Sequence, residues 1–105
     1  MTTFDEREHG FEAKFAHDQE MAFRARARRN KLLGRWTAEK IGLSGDANEV
    51  YAKGFATLNI ENSDDVIVAK IMHALGERGV SAIETEIRQR MAQLGARAKA
   101  EQMKK

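Results

Sequence analysis

Basic side chains recur at a helical spacing in the middle of the chain. Four of them, here called the basic stripe, stand at i, i+4, i+7 and i+11: Arg24, Arg28, Lys31 and Arg35. A helix would place all four on one face, where they could bind the phosphates of a nucleic acid or an acidic protein surface. The stripe could instead be a solvated face on which Glu20 and Arg24 form an i, i+4 ion pair. Phe23 is the only aromatic residue between positions 21 and 35, and no recognised DNA-binding motif surrounds it, so the sequence favours the solvated face.

The spacing of histidines and carboxylates gives no metal or catalytic constellation. A di-metal carboxylate bundle needs a Glu-x-x-His pair on each of two helices, and only Glu6 and His9 have that spacing. The other two histidines, His17 and His73, fit exposed helical positions. The chain has no cysteine, which excludes disulfides, thiolate nucleophiles and zinc–thiolate sites. We therefore predict no enzymatic activity, no metal and no required cofactor.

The composition indicates one small helical domain. The 105 residues include no proline, the residue that most often breaks a helix. No apolar run of about 18 residues exists, and the acidic start of the chain is unlike a signal peptide, so we expect a soluble, cytoplasmic protein without membrane insertion. The net charge of +2 conceals segregation. Residues 1–20 carry six acidic and two basic side chains, whereas residues 21–40 carry seven basic and one acidic.

Apolar spacing and helix-ending residues predict four helices. Their approximate ranges, with the residues that cap their starts, are 3–41 (Thr3 and Glu6), 44–58 (Ser44), 63–77 (Ser63 or Asp64) and 81 onward (Ser81 and Glu84). Gly42, Gly76 and Gly79 are the expected stops.

The apolar positions of each helix share one face and form the predicted core. They are Ala22, Ala25, Leu32, Leu33 and Trp36 in the first helix; Ala47, Val50, Tyr51, Gly54, Phe55 and Leu58 in the second; Ile67, Val68, Ile71, Met72 and Leu75 in the third; and Ile83, Ile87, Met91, Leu94 and Ala98 in the last. Four amphipathic helices joined by short connections predict an all-α fold, a four-helix bundle.

The first helix is too long for this bundle. About 38 residues would extend roughly 57 Å, against about 30 Å for a small domain. We therefore expect residues 1–19, the N-terminal arm, to project beyond the bundle of residues 20–105 or to be unfolded when the protein is free. The arm carries Phe4, Phe11 and Phe15 on one face, an arrangement typical of helix-in-groove recognition. Alternatively, the arm folds back and these rings join the core.

Two stretches of the first helix resemble a known family. Residues 11–20 (FEAKFAHDQE) and 27–36 (ARRNKLLGRW) resemble the alphaproteobacterial zeta-subunit family, which inhibits the F-type ATP synthase. The resemblance extends more loosely over residues 51–53 and the last helix. It implies a four-helix domain preceded by an inhibitory region that maps to residues 1–19. Three departures stand out: Arg26 where an acid is expected, Arg35 where an apolar or acidic residue is usual, and Gly10 inside the inhibitory helix.

The resemblance also implies a partner and a mechanism. In the family, the N-terminal region inserts into the catalytic head at an interface between alpha and beta subunits, near the gamma stalk. It blocks the rotation driven by ATP hydrolysis and interferes far less with synthesis. This chain would then be a monomer when free and would lie at the inner membrane only through the synthase. Family members are also associated with adenine-nucleotide binding, for which the sequence shows no motif.

The residues expected to contact the synthase lie on the arm and on the basic stripe. The three phenylalanines would be anchors, and charged neighbours would set the register; the full set is Phe4, Glu8, Phe11, Glu12, Lys14, Phe15, Asp18, Arg24, Arg28 and Lys31. Two other classes of function stay open: a basic bundle that binds nucleic acid through the stripe, and a structural module that associates with itself through the phenylalanine face.

Overall fold

The chain folds into four α-helices. The computed structural model describes the backbone of residues 3–103 and the side chains of residues 16–102. The helices are α1 (Thr3–Lys40), α2 (Gly45–Leu58), α3 (Asp64–Glu77) and α4 (Glu84–Met103). No strand occurs between residues 3 and 103, so the predicted all-α fold with four helices is confirmed. The predicted Thr3–Glu6 capping box and six arm residues lie outside the described side chains: Phe4, Glu8, Phe11, Glu12, Lys14 and Phe15.

Helix α1 is the central element of the bundle and extends beyond it. It packs along α2 and α4, while α3 packs on α4 and more lightly on α1. All side chains from Ala16 to Glu20 are exposed, and the first buried side chain of the described part of α1 is Ala25. The molecule measures 65 × 26 × 21 Å, in keeping with one helix much longer than the others. Residues 16–20 therefore project from the bundle, as predicted, and do not fold back onto it.

The core lies where the four helices meet. Its buried apolar side chains are Leu32, Leu33, Phe55, Ile67, Val68, Ile71, Leu75, Ile87, Met91 and Leu94. Trp36, Ile41 and Tyr51 are half-buried at its edge. Gly34 allows α1 to lie close to α2, because a Cβ there would be 3.0 Å from Ala52 Cα. The core predicted for the first, third and fourth helices is largely confirmed.

Glycines and serines end and begin the helices. Gly42 (φ 90°) and Gly79 (φ 69°) follow α1 and α3 in the left-handed conformation that favours glycine. After each, an amide donates back five residues, from Leu43 to Ala38 O at 2.9 Å and from Val80 to Leu75 O at 2.9 Å. The predicted stops at Gly42 and Gly79 are therefore confirmed, whereas Gly76 lies inside α3.

The N-terminal caps differ from one helix to the next. The Ser63 hydroxyl caps α3 by accepting from Val66 N at 3.3 Å. Ser44 is the N-cap residue of α2, as predicted, without a side-chain hydrogen bond. Helix α4 begins at Glu84, so the predicted capping box of Ser81 and Glu84 is wrong. Glu84 instead accepts hydrogen bonds from Arg88, one turn later.

Some residues predicted for the core are exposed. They are Ala22, Ala47, Val50, Gly54, Leu58, Met72 and Ile83. Four of these lie on α2, whose backbone approaches α1 and no other helix between residues 3 and 103. Because no helix covers its outer side, α2 buries only the narrow face that carries Ala52 and Phe55.

In the described part of the chain, no helix combines the length and the apolar character that crossing a bilayer requires.

Candidate partner-binding surface

The basic stripe is largely neutralised by carboxylates of the same chain. Arg24 pairs with Glu20 at 2.6 Å, one turn earlier in α1. Arg28 reaches Glu101 of α4 at 2.9 Å. The predicted Glu20–Arg24 ion pair is thus confirmed. The later members of the basic stripe pair with carboxylates of neighbouring helices.

Glu49 of α2 receives two cations of the stripe. Lys31 Nζ lies 3.1 Å from its Oε1, and Arg35 Nη2 lies 3.1 Å from its Oε2. Hydrogen bonds from Lys31 and Arg35 hold the pKa of Glu49 below its ordinary value. Arg35, which departs from the residue expected by resemblance, thereby fastens α2 to α1.

The opposite side of α1 carries a second charged cluster. Arg29 pairs with Asp64 at 2.9 Å, and Arg26 lies 4.0 Å from the same carboxylate. Arg26 also donates to the backbone carbonyl of Asn62, while its Nε is buried without a hydrogen-bond partner. Arg26, the second departure, therefore holds the α2–α3 loop against α1.

Buried amides extend this cluster into the bundle. Asn30 is fully buried and accepts hydrogen bonds from Arg29 at 2.9 and 3.2 Å. Its own amide is 3.4 Å from the carbonyl oxygen of Asn59, which is also buried. The α2–α3 loop and helix α1 are thus joined through hydrogen bonds as well as ion pairs.

Two cavities in the described part of the chain are open grooves. One, of about 480 Å³, runs between α1 and α4 beside small residues such as Ala25 and Gly95. The other, of about 320 Å³, lies on the outer side of α2 and is called the α2 groove here; its lining is Val50, Tyr51, Gly54, Phe55, Leu58, Asn59 and Lys70. The sequence assigned most of these α2 residues to the core, so this surface was missed.

The projecting part of α1 is accessible on every side that the structure describes. Asp18, predicted to contact the partner, is exposed together with His17. Phe23 is 54% exposed and lies just before the bundle begins. We did not predict Phe23 as a contact residue. The sequence feature that could have identified it is a large apolar ring that lies off the apolar face of α1 and next to an arginine. Asp18, Phe23 and Arg24 are therefore all exposed within two helical turns at the base of the arm, on different faces of α1.

A comparison with known families covers nearly the whole chain. The family described as ATPase inhibitor subunit zeta matches residues 1–101, which include the arm and almost all of α4. No curated protein matches the chain closely enough to show a relative.

Proposed function

The chain belongs to the ATPase inhibitor subunit zeta family, and we propose that it inhibits ATP hydrolysis by an F-type ATP synthase through its N-terminal arm, residues 1–19. The arm would insert between an alpha and a beta subunit of the catalytic head, beside gamma, and the bundle of residues 20–105 would stay outside. The observation that supports this most directly is the exposure of residues 16–20 and 22–24 of α1. A helix that leaves its own bundle with an uncovered surface is available to a partner.

A continuous helix lowers the cost of inserting such an arm. Ordering a flexible segment costs about 1–2 kcal/mol per residue, so 15 flexible residues would offset much of the binding energy. Helix α1 runs from Thr3 to Lys40 without a break, and its C-terminal half is anchored in the bundle. Since the costly step of helix formation is nucleation, an anchored helix can extend into the arm at low cost.

The proposed contacts divide between anchors and charges. Phe4, Phe11 and Phe15 would bury their rings in the head, each contributing about 1.5–3 kcal/mol. The charged arm residues Glu8, Glu12, Lys14 and Asp18 would set the register by pairing with the partner.

The bundle would add contacts at the base of the arm. Arg24 is the stripe member best placed for this role, because its pair with Glu20 is exposed on both sides and such pairs are weak. Arg28 and Lys31 would serve mainly by keeping α1 fixed to α4 and α2, through Glu101 and Glu49.

An inserted helix would act as a wedge. A helix anchored across one interface between an alpha and a beta subunit would block the rotation that ATP hydrolysis drives. The molecule measures 26 × 21 Å along its two shorter axes, and the bundle would limit how far the arm enters.

The test is inhibition of ATP hydrolysis by the F-type ATP synthase of the organism that encodes the chain. We expect the double variant Phe11→Ser, Phe15→Ser to require a concentration at least about tenfold higher for half inhibition. The matched control is Ala13→Ser with Ala16→Ser, which alters the same helix without removing a ring. Removing residues 1–19 should abolish inhibition, and undiminished inhibition by the shortened chain would contradict the proposal. A wild-type dimer that dissociates in the Phe11→Ser, Phe15→Ser variant would favour the self-associating alternative.

A further inference from the structure

The α2 groove is a mainly apolar surface whose sides and floor are formed by side chains of α2. Val50 is 70% exposed and Leu58 is 74% exposed, two turns apart on the same side of α2. Between them Gly54 has no side chain and leaves open space, since a Cβ there would meet nothing within 4 Å. The floor of the groove includes the stacked rings of Tyr51 and Phe55, whose centroids are 6.3 Å apart. A side chain of a partner could insert at Gly54 and rest on these rings.

The charged residue of the groove is basic. Lys70 of α3 is part of the lining; Lys53 lies outside the lining and follows Val50 by one helical turn. Both lysines are exposed, and neither forms an ion pair with any residue whose side chain is described. No acidic side chain is part of the lining. The stripe on α1, by contrast, is balanced by Glu20, Glu49 and Glu101.

We propose that the α2 groove binds an acidic amphipathic helix of the same ATPase whose head receives the arm. This inference rests on the proposed function and assigns a second docking site to it. Apolar residues of the partner helix would pack on Val50, Gly54 and Leu58, and its carboxylates would pair with Lys53 and Lys70. An apolar face bordered by complementary charge is the arrangement that helix-in-groove binding uses.

The size of the groove favours a single helix over a second copy of the chain. Its exposed apolar surface comes from a few side chains, a few hundred Å² at most, whereas a stable dimer needs about 800 Å² from each partner. The chain's own arm is a poor occupant, since α1 continues unbroken from Thr3 to Lys40 and its projecting part leads away from the bundle.

The groove is placed to act together with the arm. Asn59, next to Leu58, is joined to Asn30 of α1, and the nearby Asn62 carbonyl accepts from Arg26. One end of the groove therefore lies beside the part of α1 from which the arm projects. Two contacts on one partner reinforce each other, because the first holds the second at a high effective concentration.

The test compares full-length variants in the inhibition assay. The double variant Val50→Ser, Leu58→Ser should raise the concentration for half inhibition about tenfold or more. Inhibition at saturation should not change, because the arm is intact. Lys70→Glu should act in the same direction and lose its effect in high salt. Ile83→Ser is the matched control, since Ile83 is 67% exposed at the start of α4 and outside the groove.

The outcomes separate this inference from the proposed function. If the wild-type chain inhibits and Val50→Ser, Leu58→Ser inhibits at the same concentration as Ile83→Ser, the groove proposal is wrong and the arm proposal stands. If the wild-type chain binds the ATPase without inhibiting it, the arm proposal is wrong, and weaker binding of the groove variant would still support the groove. A wild-type dimer that the groove variant dissociates would assign the groove to a second copy. If the NMR amide signals of α2 change in the Phe11→Ser, Phe15→Ser variant without the ATPase, the groove binds the chain's own arm. Either of these last two results, the dimer or the altered signals, would overturn the proposal.

Discussion

The Nε of Arg28 donates a hydrogen bond to Oε2 of Glu101 over 2.9 Å, joining residues 73 positions apart in the chain. Glu101 also accepts from Arg97, one turn earlier in α4, at 3.2 Å. Arg28 is the main cause of the lowered pKa of Glu101. The pair fixes the last turns of α4 against α1 just after the arm leaves the bundle. A residue that the sequence marked for partner contact therefore also holds the base of the arm in place.

Breaking this pair should loosen the end of α4. We expect Glu101→Gln to speed amide hydrogen exchange at residues 97–101 and to leave the core amides of α2 and α3 unchanged. Arg28→Gln should act in the same direction but less strongly, because Glu101→Gln also removes the ion pair with Arg97. The double variant should add little to Glu101→Gln, because both single variants remove the Arg28–Glu101 pair. If the effect of the double variant were the sum of the effects of the two single variants, Arg28 and Glu101 would not be coupled.

Stability should depend on the ionisation of Glu49. Its pKa is lowered from 4.5 in the folded chain, chiefly by hydrogen bonds from Lys31 and Arg35. A lowered folded pKa gives stability that is present above pH 4.5 and is lost as the pH falls through the folded value. Thermal melts should therefore show a loss of stability as the pH falls below 4.5, and Glu49→Gln should reduce this loss.

A control variant separates this effect from general acid sensitivity. Glu61 is exposed, and among the described side chains it has no ion-pair partner. Glu61→Gln should leave the acid side of the stability profile as in the wild type. If Glu49→Gln and Glu61→Gln give the same profile, the Lys31–Glu49–Arg35 cluster does not contribute to acid stability.

Binding to DNA should be weak and only mildly dependent on salt. Of the basic stripe, only Arg24 has its partner within the same helix; the later cations face carboxylates of α2 or α4. Few of these charges are available to replace counterions on a phosphate backbone. In a fluorescence anisotropy titration we expect the logarithm of the affinity to fall with the logarithm of salt with a slope of about −1 to −2. A slope of about −4 would indicate that the whole stripe contacts phosphates and would favour the nucleic-acid alternative.

Helix positions follow from local rules, and for that reason the sequence predicts them well. Gly42 and Gly79 end helices because the left-handed conformation is available to glycine, and Ser63 begins α3 because its hydroxyl accepts a backbone amide. The start of α4 was misplaced by two residues, since a cap at Ser81 places the first helical residue at 82 and the helix begins at Glu84. Ser81 and Glu84 have capping-box spacing, but Glu84 pairs with Arg88 instead.

The partners of the stripe could not be predicted, because they depend on how distant helices pack. Spacing alone places Arg28, Lys31 and Arg35 on one face of α1. That Glu49 and Glu101 stand opposite them follows from the packing of α2 and α4 on α1.

The groove was missed for a related reason. A periodic apolar face such as Val50 and Leu58 has the same pattern whether it meets the core or a partner. Helix α2 buries Ala52 and Phe55, and the polar Asn59 that follows the helix is also buried. Asn59 tolerates burial because its amide donates to Phe55 O at 2.8 Å. Hydrophobicity does not reveal such positions.

Gly34 of α1 and Gly54 of α2 should respond in opposite directions to the same substitution. A Cβ at Gly34 would lie 3.0 Å from Ala52 Cα and 3.0 Å from Phe55 Cβ, so Gly34→Ala must push α2 away from α1. We expect overpacking to cost about 1–3 kcal/mol, offset by up to about 1 kcal/mol of improved helix propensity. At Gly54 a Cβ meets nothing within 4 Å, so Gly54→Ala keeps the propensity gain and should stabilise the fold. Urea unfolding measures both effects. The free energy of unfolding should be highest for Gly54→Ala, intermediate for the wild type and lowest for Gly34→Ala. If Gly34→Ala were as stable as Gly54→Ala, α1 and α2 could not approach each other as closely as the structure has them.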